Sequence, residues 1–282
     1  LRDWHIEEER VPQLRFTGEP ARETIARIAG ELGYGEAGRI VAEAFARCFR
    51  GVEQLYTFQS ESLEEGLRRR RNYCIVLTAR TAGGKTLAFL LPLLVRIVNY
   101  KITGRERRGV KAILFYPTIA LCHDQAENAL KLIWHINELL GPERAVSLGM
   151  LHQYVRSRRE LASIYDRMRR SEEELRLKCP LCGSRLKIVF RKLDESYDWG
   201  IEEVRCTNPE CRIERDERAR ELLNATLRAS REAIYSDPPD ILITSPDMVN
   251  VRILYDPSSH SIFGRSVKRC PRCGFTISNL RA

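Results

Sequence analysis

The chain has 282 residues and a formal net charge of +9, from 47 Lys and Arg against 38 Asp and Glu. This length supports one large or two small domains with a buried core. The basic surplus favours a polyanionic partner, nucleic acid first. The charged N-terminus does not fit a secretory signal, YCIVLTA is too short for a membrane span, and Pro92 and Arg96 interrupt LAFLLPLLVRIV. We therefore expect a cytoplasmic protein without a membrane partner.

The first 52 residues are predicted to form a helical lead-in. Apolar residues recur at helical spacing between residues 20 and 50, as at Ile25 and Ile28, and GYGEAG breaks the rhythm. A larger domain is expected over 53–282. The chain begins at Leu1 and ends at SNLRA without a closing signal, so we expect a fragment of a longer protein.

From residue 55, apolar strands alternate with helices. The predicted order is the helix FQSESLEEGLRR, the buried strand YCIVLT, the helix TLAFLLPLLVRIVNY, the strand VKAILFYP, a helix from Ile119 to Leu140, the strand AVSLGML, a charged helix from Ser157 to Lys178, a cysteine-rich module, a further helix, and the strand DILITS. Continuous apolar strands of this kind predict an α/β fold, with a parallel sheet covered by helices on both faces.

The stretch ARTAGGKT lies between a predicted strand and a predicted helix. A phosphate-binding loop needs small residues whose backbone N–H groups can face an anion, and Gly83 and Gly84 meet that need. It also needs a lysine for the β- and γ-phosphates and a hydroxyl for Mg²⁺, which Lys85 and Thr86 supply. The alternative is a tight strand-to-helix turn with an unrelated lysine.

The loop also fits the narrower pattern A-x-T-[GA]-x-G-K-T. The matching residues are Ala79, Thr81, Ala82, Gly84, Lys85 and Thr86. In this form the loop resembles motif I of superfamily 2 DEAD/DEAH-type helicases. The resemblance implies a RecA-like P-loop domain that binds ATP and Mg²⁺, with Gly83 also lining the nucleotide and with Lys85 and Thr86 as catalytic residues.

Gln59 lies twenty residues before Ala79, at the position of the adenine-reading glutamine in the family that motif I resembles. An amide can both donate to and accept from an adenine edge, which would select ATP. The simpler interpretation is a surface glutamine.

Two later stretches resemble the nucleic-acid motifs of the same family. FYPTIALCHDQ resembles motif Ia, with Thr118 at a helix start whose free N–H groups can hold a phosphate, and with Gln125 matching a motif position. Ile119 stands where the family usually has a basic residue. DILITSPDMVN resembles motif Ib, in which Thr244 or Ser245 would contact a backbone phosphate; alternatively, Ser245 only caps a helix that starts with proline.

Taken together, the motifs resemble the mitomycin-repair branch of superfamily 2, which favours DNA over RNA as the partner. No D-E-x-H tetrad follows motif Ib, so we expect the chain to end before the catalytic carboxylates and the second RecA-like domain. Without that domain's arginine finger, it would bind nucleotide but not hydrolyse it at a useful rate. The alternatives are a non-catalytic, zinc-stabilised nucleic-acid-binding module, a translocase subunit of a restriction or phage-defence system, and another type of P-loop ATPase.

Four cysteines form the pattern C-x2-C…C-x4-C, in CPLCGS and CTNPEC. They are Cys179, Cys182, Cys206 and Cys211. Paired thiolates at this spacing predict a zinc ribbon with Zn²⁺ held by four sulfurs, inserted at 178–212. A surface loop with free thiols is the alternative.

Cys270 and Cys273, in CPRCG, form half of such a pattern. We expect a second metal site whose remaining ligands lie beyond Ala282. In the alternative arrangement, these two cysteines share a zinc ion with Cys179 and Cys182.

Overall fold

The computed structural model describes residues 15–68, 74–77, 84–105, 109–157, 160–161, 163, 172–192, 199–248, 262, 267–269 and 276–278. The helices are α1 (Ala21–Glu31), α2 (Gly35–Cys48), α3 (Thr57–Leu67), α4 (Lys85–Thr103), α5 (Ile119–Leu140), α6 (Arg212–Arg215), α7 (Glu217–Thr226), α8 (Arg231–Ser236) and α9 (Pro246–Met248), with a 3₁₀ turn at Pro142–Arg144. The strands are β1 (Phe16–Pro20), β2 (Gln54–Tyr56), β3 (Ala112–Phe115), β4 (Leu148–Leu151), β5 (Glu172–Lys178), β6 (Arg185–Lys192), β7 (Trp199–Cys206), β8 (Leu227–Arg228), β9 (Ile241–Thr244), β10 (Val267–Arg269) and β11 (Thr276–Ser278).

Four parallel strands form the central sheet, in the order β3-β9-β4-β8. Along β9, Ile241 and Ile243 belong to the main hydrophobic core, whereas Leu242 packs with Leu151 and Ile234 on the other face. Successive strand residues point to opposite faces, so a strand buried on both sides must be apolar throughout. The predicted α/β fold with a covered parallel sheet is confirmed.

A buried carboxylate fixes the amino end of the sheet. Asp240, just before β9, accepts hydrogen bonds from the Ser147 backbone N–H (2.7 Å) and hydroxyl (3.0 Å). The ammonium groups of Lys101 and Lys111 each lie 3.1 Å from its carboxylate oxygens. A buried charge is tolerated when it is paired and hydrogen-bonded in this way. Asp240 therefore ties α4 to β4 and β9.

The N-terminal helices pack into the same core as the rest of the chain. Buried residues of α1 and α2 share one cluster with those of α3, α4 and α5. The strand β1 pairs antiparallel with β2, and this pairing crosses the predicted boundary after residue 52. Helices α1 and α2 lie within the predicted lead-in, and the division of the chain after residue 52 stays a prediction.

The cysteine-rich module is a three-stranded antiparallel sheet, β5-β6-β7. The predicted helix from Ser157 to Lys178 is wrong over Glu172–Lys178, which forms β5. In β5, more exposed and more buried residues alternate, and Leu175 and Leu177 lie on its buried face. That period of two belongs to a strand, but the many charges of the segment concealed it.

The predicted strand YCIVLT is also wrong over residues 74–77. Residues 74–77 have no strand assignment, and none of the described strands pairs with them. The Val76 side chain is 82 % exposed. An apolar run becomes a buried strand only when neighbouring strands and covering helices surround it, which composition does not reveal.

Among the helices described, α4 alone has the length and apolar composition to cross a membrane, criteria that core helices of soluble proteins also meet. In this fold, Leu91, Leu94, Val95 and Val98 of α4 are fully buried in the main core. They face protein, so the packing accounts for the apolar composition of the helix.

Candidate nucleotide and nucleic-acid site

The start of α4 positions the described part of the predicted phosphate loop. Gly84 is the N-cap of the helix, with φ = +77° and ψ = +23°, and Lys85 and Thr86 open the first turn. The N–H groups of the first turn and the helix dipole make this end suitable for an anion. Of the other predicted loop residues, Ala79, Thr81, Ala82 and Gly83 lie outside the described residues.

Gln59 is an interior residue that holds this turn. Its side chain is only 3 % exposed. The Oε1 atom accepts a hydrogen bond from the Tyr56 backbone N–H (2.9 Å), and Nε2 donates to the Gly84 carbonyl (3.0 Å). One N–H and one acceptor lone pair of the amide remain, which is the complement that an adenine edge requires. The adenine-reading role remains a prediction.

We expect Gly84→Ala to damage both stability and nucleotide binding. A positive φ costs a residue with a Cβ atom roughly 1–2 kcal/mol. That atom would also lie 2.5 Å from Gln59 Nε2, so the amide must move and release the turn. Thermal unfolding and titration with a fluorescent ATP analogue would measure the two effects.

Gly104→Ala is the matched control, because Gly104 caps the other end of α4 with φ = +64° and has no atom within 4 Å of its added Cβ. It should lose a similar stability and keep its nucleotide affinity. Equal nucleotide affinities in the two variants would show that the Gln59 contact does not shape the site.

Thr86 and Gln125 join the two predicted sites. The Thr86 hydroxyl donates to Gln125 Oε1 on α5, at 2.9 Å. Both lone pairs of the hydroxyl oxygen remain for a cation. Gln125 was predicted as a nucleic-acid contact, and the structure places it against the predicted Mg²⁺ ligand.

The remaining residues that were predicted to bind nucleic acid lie at the carboxyl ends of parallel β-strands. Thr118 is exposed and caps α5 by accepting a hydrogen bond from the Leu121 backbone N–H (3.2 Å). Thr244 is fully buried, and its hydroxyl donates to the Leu151 carbonyl (2.7 Å). Ser245 follows β9 and is mostly buried. The Thr244 hydroxyl thus has a structural role, and Thr118 is the more accessible of the two threonine hydroxyls.

Four cysteine sulfurs converge in the module. The Sγ atoms of Cys179, Cys182, Cys206 and Cys211 all lie within 4.8 Å of one another. Cys179 and Cys211 are 3.7 Å apart, and Cys182 and Cys206 are 3.4 Å apart. A tetrahedral ion with Zn–S bonds of about 2.3 Å places its sulfurs about 3.8 Å apart. The cluster has the donor set and the spacing for such an ion.

The thiols differ in how readily they ionise. Burial raises the pKa of Cys179 to about 12 and also raises the pKa of Cys206. Burial opposes ionisation of Cys182 too, but hydrogen bonds from Ser184 lower its pKa to about 6. A bound cation favours the thiolate form of all four.

Cys270 and Cys273 lie outside the described residues, between β10 and β11, which pair antiparallel. Their predicted metal site remains a prediction.

One cluster of aromatic and histidine side chains was not predicted from the sequence. His123 of α5 and His152, which directly follows β4, have ring centroids 5.0 Å apart, and Tyr154 lies 6.1 Å from His152. A usable signal existed, because polar residues just after parallel strands line the ligand-binding edge of such sheets. H-Q-Y follows the predicted strand AVSLGML directly.

Residues 56–178 match the family model described as DEAD/DEAH box helicase. This match supports a superfamily 2 helicase domain in that part of the chain, with an α/β RecA-like fold.

Relatives with similar sequences are named as ATP-dependent RNA helicases. The ATP-dependent RNA helicase ROK1 of Eremothecium gossypii is 25% identical over 205 residues, covering 65% of this chain and 33% of the relative. The ROK1 protein of Kluyveromyces lactis is 27% identical over 217 residues, covering 69% and 34%. The mitochondrial ATP-dependent RNA helicase MSS116 of Candida glabrata is 27% identical over 143 residues, covering 51% and 21%. This chain thus spans about a third or less of their lengths.

Proposed function

We propose that this chain is the first motor domain of an ATP-dependent nucleic-acid helicase or translocase, binding ATP–Mg²⁺ and a single strand. The observation that carries the proposal is the turn at the start of α4. There a left-handed glycine, a lysine and a threonine follow one another, and a buried glutamine amide holds the turn.

Each residue of the turn has a role that its chemistry allows. Lys85 neutralises charge on the β- and γ-phosphates, and the Thr86 hydroxyl oxygen is a ligand for Mg²⁺. Because the Thr86 hydroxyl donates a hydrogen bond to Gln125, the lone pairs of that oxygen remain for the cation. The free edge of the Gln59 amide reads adenine. The bound Mg²⁺ would offset phosphate charge.

The bound nucleic-acid strand would cross the carboxyl edge of the parallel sheet. The first turn of α5 at Thr118 and the segment that begins at Ser245 both lie at this edge, where backbone N–H groups can hold phosphates. The sequence resemblance to the mitomycin-repair branch favours DNA, whereas the relatives compared above are named RNA helicases. A strand-binding assay with DNA and RNA strands of one sequence decides between the two kinds of nucleic acid.

We expect ATP–Mg²⁺ and the strand to raise each other's affinity, and Gln125→Ala to reduce that coupling. Gln125 lies two helical turns after Thr118 on α5 and accepts a hydrogen bond from the Thr86 hydroxyl, so it is common to both proposed sites. Typical couplings between sites are about 5- to 150-fold and must be equal in both directions. Fluorescence anisotropy of a labelled strand, with and without a non-hydrolysable ATP analogue, measures the factor.

Asn128→Ala is the control, since Asn128 is an exposed amide on the same helix. It should leave the coupling factor unchanged, whereas Gln125→Ala should bring it close to one. A strand affinity that does not respond to nucleotide in the unmodified chain would contradict the motor proposal. It would favour the alternative, a non-catalytic nucleic-acid-binding module.

The proposed metal of the cysteine cluster is zinc, in a structural role. Four sulfur ligands leave no open position for water or substrate, which is typical of structural rather than catalytic zinc sites. The spacing of the sulfurs supports this proposal.

A further inference from the structure

A cavity of about 200 Å³ lies between the edge of the parallel sheet and the cysteine module. The sheet side contributes His152 and Leu227, and the module contributes Arg176 and Ile188. One water molecule needs only about 10–15 Å³ measured in this way. The cavity therefore has room for a small organic group.

Two histidines line this cavity, and three of their ring nitrogens are buried in its wall. His152 is 3 % exposed, and its Nδ1 accepts a hydrogen bond from the Tyr154 backbone N–H (3.1 Å), so a neutral ring carries its proton on Nε2. Within the described part of the chain, His152 Nε2 is buried without a hydrogen bond, and the Arg176 backbone is a hydrogen-bond partner that favours a proton on His123. Unsatisfied buried polar atoms are rare in folded proteins and point to a missing partner.

Both rings are neutral at physiological pH. Burial, the His123 ring and nearby arginines lower the pKa of His152 to about 4, and burial also lowers the pKa of His123. A neutral imidazole has one donor and one acceptor nitrogen. A donor and an acceptor nitrogen together suit an uncharged group with a polar edge.

A flat aromatic surface adjoins the histidines. Tyr154 lines the cavity and is 60 % exposed, so the cavity reaches the surface beside its ring. The Arg176 guanidinium lies 5.8 Å from the centroid of this ring. Tyrosine rings and arginine planes are the surfaces on which proteins stack unpaired bases.

The charges of the lining do not favour a phosphate. Arg156 faces Glu173 at 3.7 Å, and Arg228 Nε donates to Asp237 at 3.0 Å. Glu174 also lines the cavity. With these arginines compensated and with apolar side chains such as Leu175 and Met150 in the wall, the cavity suits a ring with apolar faces.

The cavity also lies next to the proposed phosphate contacts. Leu151, which precedes His152, pairs in register with Thr244, the residue before Ser245. His123 belongs to the first turns of α5, which begins after Thr118. A strand held by its phosphates at this edge of the sheet would pass the cavity mouth.

We propose that this cavity holds one unstacked nucleobase of the bound single strand, stacked on Tyr154 and Arg176 and hydrogen-bonded at its edge by His152 and His123. The inference rests on the proposed nucleic-acid function and adds a base-binding site to it. The cysteine module contributes Arg176, so the module takes part in holding the strand.

The test is a binding series in which a single abasic nucleotide is moved along a fluorescent single strand. With the full chain, we expect one position to lose about tenfold in affinity, as is typical for one stacked base. Tyr154→Ala should bind the intact strand about tenfold more weakly and show no further loss at that position. Tyr154→Phe keeps the ring and should behave like the unmodified chain.

A second measurement addresses edge recognition. A nonpolar base isostere at the sensitive position should weaken binding several-fold in the unmodified chain and not in His152→Phe, whose fold is checked by thermal unfolding. Abasic penalties that are equal along the strand and unchanged by Tyr154→Ala would overturn the base-binding site while leaving the proposed function intact. Failure to bind any single strand would overturn both.

Discussion

Lys85→Ala is expected to weaken ATP–Mg²⁺ binding by one to two orders of magnitude. Lys85 opens α4 directly after the left-handed Gly84, where the helix dipole and the N–H groups of the first turn already favour an anion. Its ammonium adds a charge-assisted interaction with phosphate, worth about 1.5–3 kcal/mol. Titration with a fluorescent ATP analogue measures the loss directly.

The control for this substitution is Lys131→Ala, which removes an exposed lysine from α5 and the same unit of net charge. It should bind ATP like the unmodified chain. An unchanged ATP affinity in Lys85→Ala would mean that the turn at Gly84 is only a strand-to-helix connection. The structural role of Gln59 would then be its whole role.

Sequence reasoning predicted three of the four strands of the parallel sheet, because those predictions depend on local patterns. The strands β3, β4 and β9 are continuous apolar runs, and α5 begins and ends at the predicted residues. The convergence of four cysteines was also predictable, since ligand spacing within each pair is local in the chain.

Contacts between distant segments were not predictable in the same way. Asn137 is fully buried on α5 and bonds both the Val146 backbone and the Thr226 hydroxyl. Nothing in the sequence pairs these residues, because the contact depends on how α5 and α7 pack. The contact between Thr86 and Gln125, 39 residues apart, has the same origin.

Single motifs therefore indicated residue roles, and packing determined which residues act together. Gln59 was predicted from its distance to the phosphate loop, and the structure adds its bond to Gly84. The histidine pair carried no motif at all, and only the meeting of β4 with α5 brings the two rings together.

Removing the proposed zinc ion from the cysteine cluster is expected to unfold the module sheet β5-β6-β7 while nucleotide binding persists. In zinc-finger peptides the metal contributes on the order of 10 kcal/mol to folding, and three of the four cysteines here are buried. Without the ion, the buried cysteine sulfurs lose the cation that they would bind in the folded module. The described contacts of Gln59 and Thr86 involve no residue of the module, so the nucleotide site should survive.

Metal analysis of the purified chain, followed by limited proteolysis with and without a chelator, measures this effect. Cys206→Ser should lose the metal and become sensitive to cleavage within the module. Cys74→Ser is the matched control, because Cys74 is an exposed cysteine outside the cluster, and it should keep both the metal and the protection. Full protease resistance in metal-free protein would show that packing of the module against α5 and α7 suffices without an ion. Iron in place of zinc would change the identity of the metal but not this dependence, since four thiolates hold either ion tetrahedrally.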